Sequence, residues 1–279
     1  MTLRFSLPFV ICLVLVLGAG AACAVPIYTF TDLGTLGGSS SYACSLNDAG
    51  QVAGYSYTAG AVMHGFEYSG GSMSDLGTLG GSTSYARGIN DTGQIVGYST
   101  ITTGATRAFL YSGGSMSDLG TLGGNGSWAY GISDTGKIAG YSTTSTGNSR
   151  AFLYSGGSMV DLGTLGGTDS YASGINELGQ IVGTSTLAGG GPNHAFLREG
   201  STMYDLNDLL TASNGWTLNE ALAINEWGDI CGYATDPQEQ VHAFFAYRTD
   251  RNVVPEPGTL VLLGMGLGAL VFYRRRRQA

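Results

Sequence analysis

Charge is scarce in this sequence, and positive charge is scarcer. Asp, Glu, Lys and Arg make up 11% of its 279 residues. Between Val25 and Val253, seven Lys and Arg face nineteen Asp and Glu, a balance of −12. So acidic a body repels phosphate backbones, which excludes nucleic acid as a partner. No Gly-x-Ser-x-Gly elbow, His-Glu-x-x-His helix or P-loop occurs, so those catalytic and phosphate-binding devices are absent. Gly, Ser and Thr interrupt the chain every few residues and no apolar period near 3.6 persists, which excludes a helical fold. Low charge with 47 glycines could describe a disordered chain, but 43% hydrophobic residues, with 16 Tyr and 10 Phe, describe a packed one.

What is abundant is a repeat. Asp32-Leu33-Gly34-Thr35-Leu36-Gly37-Gly38 returns at Asp75, Asp118 and Asp161, and in degenerate form as Asp205-Leu206-Asn207-Asp208-Leu209. The five Asp positions step by 43, 43, 43 and 44, so one supersecondary unit has been copied five times. In the second copy, Met73–Leu76 reads as a short strand A, Ser84–Ile89 as B, Gln94–Ser99 as C and Arg107–Tyr111 as D. Asn90-Asp91-Thr92-Gly93 is the B–C turn, and Gly113-Gly114 suits a tight hairpin from D to the next A. The structural unit is therefore out of step with the sequence unit: B, C and D of one copy pair with A of the next.

Four strands per 43 residues predicts an all-β, five-bladed β-propeller over residues 25–250. The first strand A, near Tyr28–Leu33, has no D before it, and the last D, His242–Tyr247, has no A after it. Ring closure by the N-terminal strand would complete the fifth blade and remove both edges. An open β-solenoid or a pair of β-sandwiches is the alternative. Alternation sets Phe109 and Tyr111 opposite Ala108, and Val96 and Tyr98 opposite Gly97, so a bulky face is expected to pack on a bare one. The fifth copy carries five extra residues within Leu206–Trp216, where a helical turn would fit, and Glu220 replaces the Tyr42, Tyr85, Trp128 and Tyr171 of the other copies.

One repeat position collects His64, Arg107, Arg150, His194 and His242. A ring of cations there could gather an anion, and histidines could hold a metal. A position that accepts Arg is a poor metal ligand, however, and pairing with a neighbouring carboxylate is the expected role. The turn acids Asp48, Asp91, Asp134, Glu177 and Glu226 are read as turn chemistry rather than as a calcium loop. No catalytic residue, cofactor or metal is assigned.

Residues 1–24 have a basic Arg4, an apolar run Leu7–Leu17 and the small-residue exit Ala22-Cys23-Ala24, which reads as a secretory signal cleaved after Ala24. Cleavage leaves Cys44 and Cys231 in an oxidising compartment, in the first and last copies, where a closed ring would let them form a disulfide. Residues 251–258 are a linker containing Pro255-Glu256-Pro257. Residues 259–279 hold an apolar run, Thr259–Tyr273, then Arg274-Arg275-Arg276-Arg277. That run is short against the roughly 20 residues of a permanent span, and the arginines act as a membrane stop kept cytoplasmic.

The body resembles the HAF repeat family, on Asp-Leu-Gly-Thr-Leu-Gly-Gly, Ser-Tyr-Ala, Ile-Asn-Asp-x-Gly-Gln-Ile-Val-Gly, His194-Ala195-Phe196 and His242-Ala243-Phe244. The resemblance implies an exported repeat protein without an assigned activity. The tail is similar to the PEP-CTERM sorting signal of Gram-negative bacteria that secrete exopolysaccharide. This implies a passage through secretion machinery, transient anchoring in the inner membrane, an exosortase-like protease as partner, and delivery to the cell surface, outer envelope or extracellular matrix. The expected function is a non-enzymatic structural or binding module, with envelope polysaccharide as a candidate partner, since Tyr-rich, hydroxyl-rich surfaces stack on sugar rings. The alternative is a secreted enzyme acting on polysaccharide, which predicts Glu220, Asp208 and Glu226 converging in one pocket.

Overall fold

The computed structural model describes residues 28–249. The signal segment with Ala24, and the tail with Pro255, Glu256, Pro257 and Arg274 to Arg277, lie outside the described residues. The chain separates into two units, divided between Asp32 and Leu33. Of the first unit, the described residues 28–32 carry no secondary structure, and Tyr28 and Phe30 are each 89% exposed.

The second unit is a succession of five antiparallel sheets. The first holds β1 (Gly37–Leu46), β2 (Val52–Thr58), β3 (Met63–Ser69) and β4 (Ser72–Asp75). The second holds β5 (Gly80–Ile89), β6 (Ile95–Ile101), β7 (Thr106–Ser112) and β8 (Ser115–Asp118). The third holds β9 (Gly123–Ile132), β10 (Ile138–Thr144), β11 (Ser149–Ser155) and β12 (Ser158–Asp161). The fourth holds β13 (Gly166–Ile175), β14 (Ile181–Leu187), β15 (His194–Glu199) and β16 (Thr202–Asp205). The fifth has three strands, β17 (Thr217–Ile224), β18 (Ile230–Thr235) and β19 (Val241–Ala246). Strand order within each sheet follows the chain, so B, C and D are joined by the A strand of the next copy, as the offset reading requires. Gly113 and Gly114 have φ of 58° and 82°, the paired positive values of a type I′ hairpin. The fifth copy begins its longer connection with a 3-10 turn, Leu206–Leu209, capped by the Asp205 carboxylate, which accepts from the Asn207 N–H.

Two expectations are corrected. Residues 28–35 form no strand, the fifth sheet has no fourth strand among the described residues, and no strand of that sheet is hydrogen-bonded to the first sheet. Among the described residues, no N-terminal strand completes the fifth sheet. Nor does one bulky face meet a bare one, because alternation along a strand says nothing about its neighbour. Gly97 pairs with Phe109 and Tyr98 with Ala108, so large and small residues sit side by side on each face. The aromatic ring fills the space left by the glycine: a Cβ on Gly54 would lie 2.9 Å from the Phe66 ring.

Four apolar clusters fill the four joints between consecutive sheets. At the second joint, Val96 and Ala108 of one sheet pack with Ala129, Ile138 and Phe152 of the next. The first three joints are also sewn by a buried serine. The Ala108 N–H donates to Ser127 Oγ at 2.8 Å, and the Ser127 hydroxyl donates to the Gly120 carbonyl at 2.6 Å. Gly65 with Ser84, and Ala151 with Ser170, repeat the bond. Ser127→Ala would leave a buried N–H and carbonyl without their partner, a loss of about 1–3 kcal/mol. A urea titration read by circular dichroism checks it against the exposed Ser115→Ala, for which no loss is expected.

Candidate functional site

The repeated cation position is used for structure in every copy. His64 Nδ1 lies 2.8 Å from Asp75 Oδ2, and His194 Nδ1 lies 2.5 Å from Asp205 Oδ2. Arg107 Nε and Arg150 Nε lie 3.8 and 3.7 Å from the carboxylates of Asp118 and Asp161. The same Asp accepts the N–H two residues on, as Asp75 does from Gly77 at 2.8 Å, so the pair fixes the turn where strand A ends. Among the described residues the fifth copy has no following A strand, and His242 turns instead to Asp236, 3.4 Å away. Asp236 is held below the usual carboxylate range chiefly by the Gln240 N–H. Among the described residues no group of three His, Cys, Asp or Glu could hold a metal ion.

The turn acids form a second ladder. The N–H of Asp48 donates to Asp91 Oδ1 at 2.9 Å, that of Asp91 to Asp134 Oδ1 at 2.8 Å, and that of Asp134 to Glu177 Oε1 at 2.7 Å. The N–H of Glu177 reaches Glu226 Oε1 at 3.1 Å. Asn side chains run alongside: Asn47 Nδ2 donates to the Asn90 carbonyl, and Asn90 Nδ2 to that of Ser133. The carboxylates are therefore spent on joining successive sheets.

Cys44 and Cys231 are both free and exposed. The disulfide expected of them is not formed. Partial desolvation pushes the Cys44 thiol up even so, against the opposing effect of the Arg87 guanidinium beside it.

What the structure adds is an aromatic stripe crossing successive sheets. Tyr42 stacks on Tyr55 with centroids 5.1 Å apart, Tyr55 meets Tyr85 at 5.2 Å, and Tyr85 stacks on Tyr98 at 5.1 Å. Tyr98 lies 6.4 Å from Tyr130, Tyr130 lies 6.0 Å from Tyr141, and Tyr141 meets Tyr171 at 4.8 Å. Trp128 stacks on Tyr141 at 4.7 Å, with planes 16° apart. All except Tyr42, which is more open, are half-buried, so each shows part of its ring. Arg87 sits 5.5 and 5.4 Å from the Tyr55 and Tyr98 centroids and donates to the Tyr98 hydroxyl at 2.8 Å. Its Nε is the one buried side-chain nitrogen or oxygen without a partner among the described residues. The stripe stops after Tyr171, where Thr184 replaces the C-strand tyrosine and Glu220 replaces the B-strand aromatic residue.

Register explains the stripe. Tyr42 faces Tyr55 across β1 and β2, Tyr85 faces Tyr98 across β5 and β6, and Trp128 faces Tyr141 across β9 and β10, so one aromatic from B and one from C are neighbours in each of the first three sheets. A bulge after Ala86 carries Arg87 to the same side. Each aromatic position was visible as a repeat, but the continuity between sheets was not, because it depends on sheet-to-sheet stacking.

Burial raises the pKa of Tyr85, Tyr130 and Tyr141, with neighbouring tyrosines reinforcing it. A phenol whose folded pKa is raised stabilises the fold fully below its unfolded value, about 10, and loses that contribution as pH climbs through the folded value. The unfolding midpoint should therefore fall above about pH 10. Absorbance at 295 nm should show a set of tyrosines ionising only with unfolding. Burial raises the Glu220 pKa too. Its contribution is present at acid pH and is lost as pH rises through its folded value, so Glu220→Gln should raise the melting midpoint at neutral pH and leave it little changed at pH 4.

The three acids on which catalysis would depend are spread out. Asp208 lines a depression with Asp205, Tyr204, Leu165 and Met203, Glu226 holds the Glu177 N–H, and Glu220 acts on Tyr130 at the end of the stripe. A cavity of about 320 Å³ beside the fifth sheet is lined mostly by Leu197, Leu206, Leu209, Leu218, Ile230 and Tyr247. Glu199 and Arg248, paired at 3.1 Å, also line it, while Glu220, Asp208 and Glu226 do not.

The fold and surface thus define an all-β repeat protein with an aromatic strip along its sheets. Its C-terminal residues 253–277 match the PEP-CTERM protein-sorting motif. That motif implies export, processing by exosortase in the membrane, and a surface destination. No curated protein matches the chain. Among solved structures, the chain is similar to a triple arginine-to-alanine mutant of AofleA from Arthrobotrys oligospora, with 14% identity, 79% of this chain and 72% of that one covered, and a TM-score of 0.41. It is also similar to the six-bladed β-propeller lectin of Aleuria aurantia, described with a fucose recognition mode, with 14% identity, coverage of 75% and 77%, and a TM-score of 0.39. Among the described residues, no helix is long and apolar enough to cross a membrane, and Thr259–Tyr273 lies outside them.

Proposed function

We propose that this protein is an exported, non-enzymatic repeat module of the HAF kind, which holds envelope or matrix polysaccharide on its aromatic stripe. The observation that carries this reading is the run of half-buried rings from Tyr42 to Tyr171. Sugar rings stack their C–H faces on aromatic faces, and rings fixed by their neighbours lose little entropy on binding. An extended stripe suits a chain of sugars better than a single one. Against the enzymatic alternative stands the dispersal of Glu220, Asp208 and Glu226.

The test is electrophoresis of the exported protein through gels containing exopolysaccharide. Retardation is expected. Tyr85→Ala and Tyr98→Ala should each weaken it about tenfold, for roughly 1.4 kcal/mol per lost ring. Equal mobility in all gels, or unchanged retardation in both variants, would sink the reading. Delivery to the surface rests on the tail. Replacing Pro255 and Pro257 together by Ala should leave the unprocessed chain in the inner-membrane fraction, checked by fractionation and intact mass.

A further inference from the structure

One cation interrupts the stripe, and its repeat position does not call for one. The bulge that carries Arg87 to the rings recurs in each of the five sheets, and the bulged residue is in turn Cys44, Arg87, Tyr130, Ser173 and Leu222. A cation with an architectural task recurs from copy to copy, as the His and Arg row does on its carboxylates. Arg87 occurs once.

It also meets no carboxylate, although nineteen Asp and Glu of the body stand against seven Lys and Arg. Among the described residues, ion pairs engage His64, Arg107, Arg150, His194, His242 and Arg248, and none engages Arg87. The acids of its own copy and the one before have other partners: Asp91 accepts from the Asp48 N–H, and Asp75 holds His64 and the Gly77 N–H. Glu220, at the far end of the stripe, acts on Tyr130.

A guanidinium presents five N–H donors. That of Arg87 gives one to the Tyr98 hydroxyl at 2.8 Å and lies 5.5 and 5.4 Å from the Tyr55 and Tyr98 centroids, while its Nε is buried without a partner. The residue as a whole is half-buried. It is thus held in place by the rings, with donors left over.

We propose that Arg87 reads the carboxylate of an acidic sugar lying on the stripe, so that the polysaccharide held there carries carboxylates spaced among neutral sugars. This inference rests on the stripe being the glycan surface and names the class of glycan it takes. The carboxylate accepts from the guanidinium while the neighbouring sugars stack on the flanking tyrosines. A charge-assisted bond to a cation partly shielded from water is stronger than one in open solvent. The spacing follows from the charge of the body. Its balance of −12 opposes a polymer with a carboxylate on every sugar, whereas an isolated carboxylate gains the contact with Arg87 and adds little repulsion.

Affinity electrophoresis in the exopolysaccharide, native and after reduction of its carboxyl groups to alcohols, tests this on one backbone. The exported protein should bind the native polymer about tenfold more tightly than the reduced one. Arg87→Gln should bring that ratio close to one, and Arg87→Lys, which keeps the charge without the planar fork, should leave it at about threefold. Each ratio is taken within one protein, so a general weakening of the stripe cancels from it. A ratio near one in the unaltered protein would overturn the carboxylate and leave glycan binding intact. A tenfold ratio that survives in Arg87→Gln would equally overturn it, because the carboxylate would then be read elsewhere. Retardation by neither polymer would bring down the glycan reading itself, and this inference with it.

Discussion

Gly183→Ala is expected to abolish stable folding of the fourth sheet. An added Cβ would lie 1.9 Å from the Tyr171 carbonyl oxygen, 2.9 Å from Ala172 Cα and 2.9 Å from the Phe196 ring. Two of those neighbours are backbone atoms held in the β13–β14 ladder, so relief requires the strands to part. The same glycine recurs as Gly54, Gly97, Gly140 and Gly232, each with a carbonyl within 2.1 Å of the added carbon. The expected cost exceeds the range of about 1–3 kcal/mol for ordinary overpacking. Gly147 supplies the contrast. It has φ of +88° but open space around it, so Gly147→Ala should cost only the strain of a left-handed alanine, about 1–2 kcal/mol. Urea unfolding of both variants checks the pair, and equal midpoints would show that the close approach is not what demands glycine at 183.

Phe196→Ala should cost about 3–5 kcal/mol. The ring is fully buried in the joint between the third and fourth sheets, with Ala139, Ala151, Leu162, Ala172 and Ile181 around it. Its loss removes apolar contact with the neighbouring sheet and also uncovers Gly183, whose missing side chain it replaces. Because each sheet packs only on its neighbours, the damage should be local. Amide exchange should quicken in β13 to β16 and in the facing strands β10 and β11, while β2 and β3 keep their protection. Uniform acceleration across all five sheets would instead mean that the array unfolds as one body.

The strand content was legible because the repeat gave four aligned examples of each strand, and the Asn-Asp-x-Gly turns and Gly-Gly hairpins marked their ends. The out-of-step pairing of A with the preceding D followed from Gly113-Gly114 alone. Closure was not legible. It depends on the rotation between one sheet and the next, and no residue in Asp-Leu-Gly-Thr-Leu-Gly-Gly encodes that angle in a readable way. The pairing of His64, Arg107, Arg150 and His194 with carboxylates was foreseen from Arg and His sharing one position. The stripe was half legible. Its tyrosines were visible as repeated letters, but Tyr55 touching Tyr85, and Arg87 lying between Tyr55 and Tyr98, depend on stacking between copies. The bulge that turns Arg87 toward the rings leaves no mark in the pattern of side chains.

Trp128 offers the most direct test of the stripe as the binding surface. It stacks on Tyr141 within the stripe, whereas Trp216 and Trp227 lie in the fifth copy. With Trp216 and Trp227 replaced by Phe, emission excited at 295 nm comes from Trp128, and exopolysaccharide can be titrated against it. A saturable blue shift is predicted, with an affinity that weakens in Tyr98→Ala. Retention of the protein on the polysaccharide with Trp128 emission unchanged would place the binding elsewhere and contradict the account.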